Sequence, residues 1–351
     1  MIIDGNEIED NGVFFIAEVG VNHNGSMARA KELIDAAAAA DADAVKFQTF
    51  ETDRLVAEQA PKAEYQKNRT GTEGSQHEML EQYELTTEEH EELLEYCNEV
   101  DITFLSSPFD RKSVDLLDEL DVSAIKVGSG ELTNHQLLRY IAKTGRPVIV
   151  STGMATLAEV EMAVKTIRDA NSSVAFSLLH CVSSYPAALS SLNLRAIETM
   201  NERFSVPIGY SDHSTAVETP AFAVSIGAQI IEKHMTLDKS LPGPDHEASL
   251  TPDELDRAVT IARRAAKARG TPEKKPVPSE SENRKVARKS LHTSRKIGEG
   301  EILTRDDVVI LRPANGLSPA AFDSILGKRT TTDLDSNAPI TAHAIANVDE
   351  E

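Results

Sequence analysis

Two histidines close neighbouring apolar runs: His213 follows "PIGYSD" and His234 ends "QIIEKH". If those runs are adjacent parallel strands, ~4.8 Å apart, both imidazoles can reach one divalent cation. A lone strand-end histidine reads as a hydrogen-bonded residue; a pair on adjacent strands reads as ligands. Two imidazoles completed by oxygen suit an open Mn²⁺ or Mg²⁺ site with room for water and substrate, rather than a closed structural zinc. Lys46, Lys126 and Lys233 lie in other runs of the same kind or beside these histidines. A lysine buried on a strand is costly unless a negative charge meets it. One could pair with Glu18 or Glu232, but three predict a bound anion. The hydroxyls of Ser107, Ser129, Ser151 and Ser211, at four strand ends, make phosphate the anion of choice. Gln48 stands two residues beyond Lys46 and so on the same strand face. Glu232 and Lys233 read as an ion pair at the rim, Asp245 as a group delivered by the Gly/Pro loop "SLPGPDHEA", and His246 as a brace for that loop.

Positioning so many groups at one mouth needs a repetitive frame. From the start to about residue 270 the chain repeats one unit: a short β-branched or aromatic run, a small polar cluster, then an amphipathic helical stretch. The runs are "VFFIAE", "DAVKFQ", "ITFLSS", "AIKVGS", "PVIVST", "VAFSLLHC", "PIGYSD" and "QIIEKH". Several helical stretches start at Asp, Ser, Thr or Asn in the capping position, and Thr251-Pro252 puts proline at a first helical position. Eight such units in about 250 residues predict a closed parallel (β/α)8 TIM barrel, with functional groups at the C-terminal ends of the strands. A doubly wound open sheet is the alternative; the eighth unit and the missing GxGxxG disfavour it. Between the second run and its helix lie residues 51–85, an insertion long enough to be a lid. The expected domains are a catalytic barrel over 1–270, a Pro- and charge-rich linker over 271–284, and a small β-rich domain over 285–351.

Composition removes several function classes. With 57 acidic against 36 basic residues and a net charge of −21, the general surface repels nucleic acid and anionic membrane, so an anionic substrate must be held by a local basic pocket. The same balance reads as adaptation to salt. No run approaches the ~20 apolar residues of a membrane helix, and the acidic N-terminal stretch is unlike a secretion signal, so the chain reads as cytoplasmic. Cys97 and Cys181 form no CxxC pair and read as reduced thiols without chemistry.

The segments "FFIAEVGVNHNGSMARAKELIDAAAAADADAVKFQTF", "IKVGSGELTN", "STGMAT", "LLHCVSSYPA", "GYSDHS" and "EKHMTLDKSLPGPDHEASL" resemble the sialic acid synthase (NeuB) family, and "RKSLHTSRKIGEGEILTRDDVVILRPANGLSP" resembles its antifreeze-like (SAF) domain. The resemblance spans nearly the whole chain. It implies condensation of phosphoenolpyruvate with an N-acetylmannosamine-type aldose to a nonulosonic acid and phosphate. By the same resemblance Lys46, Ser107, Lys126, Ser129, Ser151 and Ser211 clamp phosphoenolpyruvate, His213 and His234 bind the metal, and Gln48, Glu131, Tyr185 and Asp245 hold the sugar. Arg312 of a second subunit's SAF domain binds the acyl group, which implies a domain-swapped homodimer. Glu18 or Glu131, or the metal, activates the water. Ser183 stands where N-acetylneuraminate synthases commonly carry Asn; legionaminate-type synthases commonly show this form. Two rival readings are a 3-deoxy-octulosonate-type synthase acting on a sugar phosphate, disfavoured because the insertion shows no obvious second basic cluster around Lys62, Lys67 and Arg69, and a non-catalytic barrel that binds acidic sugars.

Overall fold

Residues 14 to 234 supply eight parallel strands that close on themselves. In the computed structural model, which describes residues 1–8, 12–71 and 74–346 apart from the side chains of residues 65 and 68, these are β1 (Phe14–Gly20), β2 (Ala44–Thr49), β3 (Thr103–Pro108), β4 (Ile125–Val127), β5 (Val148–Ser151), β6 (Phe176–Cys181), β7 (Ile208–Asp212) and β8 (Ile230–His234). Each strand pairs with its successor, and β8 closes on β1 with Ile230 opposite Phe14 and His234 opposite Glu18. The predicted barrel is therefore the observed one. Residues 72 and 73 of the insertion and 347–351 of the expected second domain lie outside the described residues.

Alternation along each strand divides the side chains into two sets. Outward residues such as Phe15, Val45, Ile125, Val150, Tyr210 and Ile231 pack against the surrounding helices in one core. Inward residues form a second, smaller one: Phe14, Ile16, Ala44, Leu105, Ala124, Ile149, Leu179 and Ile230 fill the N-terminal half of the barrel, with Ile3 and Ile8 packed against them. Those two belong to the N-terminal segment, in which Ile2–Ile3 pairs antiparallel with Asn6–Glu7. The barrel is thus apolar at its floor, and its inward positions turn polar only towards the strand ends.

The helices begin where their capping residues put them. The side chains of Ser26, Thr86, Asp110, Asn134 and Thr156 each accept a backbone N–H of a helix's first turn, and Pro252 opens the helix Pro252–Arg269. The insertion is not an open loop. It folds into Thr52–Leu55, Glu64–Thr70 and Gln76–Leu80 followed by a turn at Glu81–Tyr83, and Met79 and Tyr83 pack with Val21 and Phe50.

The chain divides into two compact units, Met1–Gly270 and Thr271–Glu351. The second has its own core of Leu291, Ile297, Leu303, Val308, Ile325, Leu334 and Ile340, and an antiparallel pair, β9 (Ser290–Thr293) and β10 (Val308–Leu311). Part of the stretch expected to be linker is ordered as a helix, Ser281–Ala287. Among the described residues no helix is long and apolar enough to cross a membrane.

Candidate active site

Four charged side chains meet inside the barrel just above its apolar floor. Glu18, Lys46, Lys126 and Glu232 are each at most 3 % exposed. Lys46 Nζ lies 2.6 Å from Glu18 Oε2 and 3.7 Å from Glu232 Oε2, and Lys126 Nζ lies 3.1 Å from Glu232 Oε1. Ser211 donates to Glu232 Oε1 at 2.8 Å, and Lys46 donates to Ser107 at 3.1 Å. Such a cluster survives burial because its charges are paired, while Glu232 Oε2, 3.7 Å from Lys46 Nζ, has no hydrogen-bond partner among the described residues. The two carboxylates are nevertheless unequal. Burial pushes Glu18 up to about 7, opposed by Lys46 and reinforced by the charge of Glu232. Burial acts on Glu232 too, but Lys126, Lys46 and the Ser211 hydroxyl outweigh it and hold that carboxyl well below the usual range. Of the two carboxylates, Glu18 is the one whose environment favours protonation.

Two expectations need correcting. Lys233 does not face the mouth: it sits on the outer face of β8, completely buried, with Asp212 2.5 Å away. Glu232 and Lys233 therefore form no ion pair with each other, because successive strand residues point to opposite faces. All three lysines already have carboxylate partners, so their burial does not by itself require a bound anion.

Groups suited to receive an anion stand next to the cluster. Ser151 Oγ is buried without a hydrogen-bond partner among the described residues. Ser129 Oγ accepts the backbone N–H of Gly153 at 2.9 Å. A Cβ at Gly153 would come within 2.3 Å of Ser183 Oγ, 2.7 Å of Ser129 Oγ and 3.1 Å of Cys181 Sγ, so only glycine lets these groups converge. Gly153 and Cys181, which stand among these groups, were not among the residues expected there; the one available signal was a glycine directly after the strand end in "STGMAT".

His213 directly follows β7 and His234 ends β8, with their ring centroids 5.4 Å apart. The Nδ1–H of His213 donates to the Val182 carbonyl at 2.8 Å, which leaves Nε2 as the nitrogen with a free lone pair. Nδ1 of His234 is buried with no hydrogen-bond partner among the described residues. Burial, and then the neighbouring His213 and Lys46, keep His234 well below the usual imidazole range and so neutral, the form that ligates metal. Burial alone would lower His213 as well, but Cys181, 3.7 Å from its Nδ1, and the Val182 carbonyl raise it. These two imidazoles fit a divalent cation that takes its remaining ligands from water or substrate. No third His, Cys, Asp or Glu among the described residues completes a closed protein-only set. Tyr185 covers the pair, its ring 4.1 Å from that of His213 and 5.8 Å from that of His234.

Residues 33–274 match the NeuB family and residues 288–346 match the SAF domain. The chain belongs to the NeuB family. It is 44% identical over 330 residues to the N,N'-diacetyllegionaminic acid synthase of Legionella pneumophila, covering 93% of each chain. It is 43% identical over 317 residues to the enzyme of the same name from Campylobacter jejuni, covering 90% of this chain and 95% of that one. Among solved structures it resembles the N-acetylneuraminic acid (sialic acid) synthetase of Leptospira borgpetersenii in complex with citrate, with a TM-score of 0.70 and 38% identity over 78% of this chain and 90% of that one.

The rest of the NeuB-type inventory divides. Gln48 lies beside Glu18: a Cβ on Gly20 would meet Glu18 Oε1 at 3.0 Å and Gln48 Nε2 at 3.4 Å. Asp245 is buried, and burial pushes its carboxyl up to about 6 against the opposing charge of His213. Its loop is tied down by Ser249, which donates to the Asp245 carbonyl at 2.7 Å, and by His246, which bridges Thr236 at 2.7 Å and Asn24 at 3.2 Å. His246 is thus a loop brace. Glu131 is only half-buried and accepts from Asn134 at 2.8 Å, outside the charged cluster. Arg312 follows β10 in the second unit and is exposed.

Proposed function

We propose that this chain condenses phosphoenolpyruvate with a 2-acylamino-mannose-type aldose to give a nonulosonic acid and phosphate, and that the aldose is the 2,4-diacetamido-2,4,6-trideoxy sugar of legionaminate synthesis. The observation that carries the reading is a pair of neutral-capable imidazoles beside a buried, charge-balanced Glu18–Lys46–Glu232–Lys126 cluster at one barrel mouth. The relatives of 43–44% identity named N,N'-diacetyllegionaminic acid synthases favour the diacetamido sugar over N-acetylmannosamine.

In this reading Lys46, Lys126 and the hydroxyls of Ser107, Ser129, Ser151 and Ser211 hold the phosphate and carboxylate of phosphoenolpyruvate, Ser183 stands by the phosphate, and Gln48, Tyr185 and Asp245 orient the sugar. A divalent ion on His213 and His234, Mn²⁺ or Mg²⁺, supplies Lewis acidity for the aldehyde oxygen. The enol C3 of phosphoenolpyruvate forms the new bond to the aldehyde carbon, and C2 becomes electron-poor. Glu18, whose proton affinity lies near neutral pH, takes the proton from the water that adds at C2. The C2–O bond to phosphate then breaks as the C2 hydroxyl gives its proton to the leaving phosphate, leaving a ketone; the proton held by Glu18 passes to the former aldehyde oxygen, which took the C=O pair when C3 attacked, and the lysines receive the departing charge. Glu131 is the weaker candidate for the base because it is bound to Asn134 away from the cluster.

The proposal extends to a domain-swapped homodimer in which the exposed Arg312 of one chain completes the sugar site of the other, supported by the SAF match and by the resemblance of "RPANG" to the family motif. The net charge of −21 supports adaptation to salt. Phosphate release with Mn²⁺, phosphoenolpyruvate and, in turn, 2,4-diacetamido-2,4,6-trideoxymannose, N-acetylmannosamine and its 6-phosphate tests the substrate. Turnover of the diacetamido sugar is expected; preference for the 6-phosphate would refute the assignment, and no release with any sugar would return the non-catalytic reading. The insertion argues against a phosphorylated sugar, since Lys67 meets Glu64 at 3.3 Å, Arg69 pairs with Glu247, and Lys62 donates to the Gly71 carbonyl at 3.4 Å.

A further inference from the structure

Behind β7 and β8, on the face turned away from the mouth, lies a buried ion pair that the reaction does not use. Lys233 Nζ is within 2.5 Å of Asp212 Oδ2, 2.6 Å of the Ser214 carbonyl, 3.1 Å of the Ala216 carbonyl and 3.3 Å of Ser214 Oγ. An ammonium has three protons, so these four oxygens saturate it. Asp212 is equally engaged: its Oδ1 accepts from the Ser214 backbone N–H at 2.8 Å and from the Tyr210 hydroxyl at 3.1 Å, and its Oδ2 also accepts from Thr219. Both side chains of the pair are fully shielded from solvent.

The sequence positions give this network a second meaning. Asp212 and Ser214 flank His213, and Lys233 precedes His234. The residues on both sides of the first imidazole are therefore clamped to the residue that precedes the second. Cross-strand pairing holds β7 to β8 only as far as Asp212 opposite Lys233. Beyond that point the chain leaves the sheet; the His213 ring is held by the Val182 carbonyl and its own carbonyl by the Ala187 N–H, both from the β6 side, and the Lys233 network is what ties its flanking residues to β8. Anchoring a loop by a buried charge pair is costly in desolvation, and apolar packing would serve a loop that needed no fixed direction. The ammonium adds a fixed direction, because its partners are a carboxylate at the strand end and the loop carbonyls of Ser214 and Ala216.

We propose that Lys233 and Asp212 are positioning residues that hold His213 and His234 at the separation at which both ligate one divalent cation. This rests on the reading of the two imidazoles as metal ligands. The test is direct Mn²⁺ binding to the full-length chain, followed by electron paramagnetic resonance of the free ion, alongside thermal unfolding. Replacing both members of a buried pair by apolar groups commonly preserves folding. Lys233→Met/Asp212→Leu is accordingly expected to fold with a Tm near that of the unaltered chain and to bind Mn²⁺ about 10- to 100-fold more weakly, the usual effect of losing a group that orients a ligand. Thr219→Val, which removes one donor to Asp212, is expected to weaken Mn²⁺ a few-fold with the fold intact. A purely structural role lowers Tm and leaves the Mn²⁺ Kd of the folded protein where it was; that result in the double variant overturns the proposal. If the double variant does not fold, an unchanged Kd in Thr219→Val overturns it instead. His234→Ala separates the two layers of argument: if it binds Mn²⁺ like the unaltered chain, the metal reading itself falls, and the positioning role with it.

Discussion

Replacing Glu232 by Gln should move the pH dependence of catalysis in a direction that the geometry of the cluster fixes. Lys46 Nζ is 2.6 Å from Glu18 Oε2 and 3.7 Å from Glu232 Oε2, so those two carboxylate oxygens are no further apart than the sum of these distances, about 6.3 Å. At an effective dielectric of ~20, two like charges at that separation repel by ~2.6 kcal/mol, or ~2 pKa units. This repulsion is one of the causes that raise Glu18 to about 7. The substituted amide keeps the volume and an oxygen for Ser211 but not the charge, and it leaves Lys46 to act on Glu18 alone. A base works only when deprotonated, so kcat/KM in the unaltered chain should rise with pH through an inflection near 7 and level off above it. In Glu232→Gln the inflection should fall by ~2 units, to about pH 5, whatever happens to the absolute rate. Lys126 loses a carboxylate at 3.1 Å in this variant, and one broken buried pair costs ~3–5 kcal/mol, so Tm must be measured alongside and the profile taken below it. An inflection that stays near 7, or moves up, would refute both the coupling and the assignment of Glu18 as base. Glu18→Gln is the control: it should abolish the inflection.

Three further perturbations follow from the same site. Gly153→Ala places a Cβ 2.3 Å from Ser183 Oγ and 2.7 Å from Ser129 Oγ; an overpacking cost of ~1–3 kcal/mol and a KM for phosphoenolpyruvate raised at least tenfold are expected, and unchanged kinetics would show that the cradle binds nothing. His234→Ala should abolish metal-dependent phosphate release while circular dichroism remains that of the folded barrel; full activity after EDTA treatment would sink the metal assignment. Ending the chain at about residue 275 should leave a folded barrel, since Met1–Gly270 carries its own cores, with little activity; an equally active barrel would show that Arg312 plays no part.

The barrel was legible because its signal is repeated: eight runs, each buried on both faces, are hard to place in any other parallel architecture. The strand-end residues were legible for the same reason, since knowing where a strand ends says which residues can look into the mouth. What the linear pattern left open was which of two adjacent charged residues looks in. "EKH" offers Glu232, Lys233 and His234 in succession, and the alternation that sends Glu232 and His234 inward necessarily sends Lys233 outward to Asp212, itself the outward member of "SDH". The phase is set by Ile230, which packs with the barrel floor, and Ile231, which packs with the helices; from sequence the two isoleucines are indistinguishable. Gly153 and Cys181 were invisible for a different reason. Neither carries a charge, and each matters through what converges on it from another strand, a relation that spacing along the chain does not encode. The misjudged lysines show the limit of counting charges. Their number suggested a missing anion, whereas the fold supplies a carboxylate to each: Glu18 to Lys46, Glu232 to Lys126 and Asp212 to Lys233.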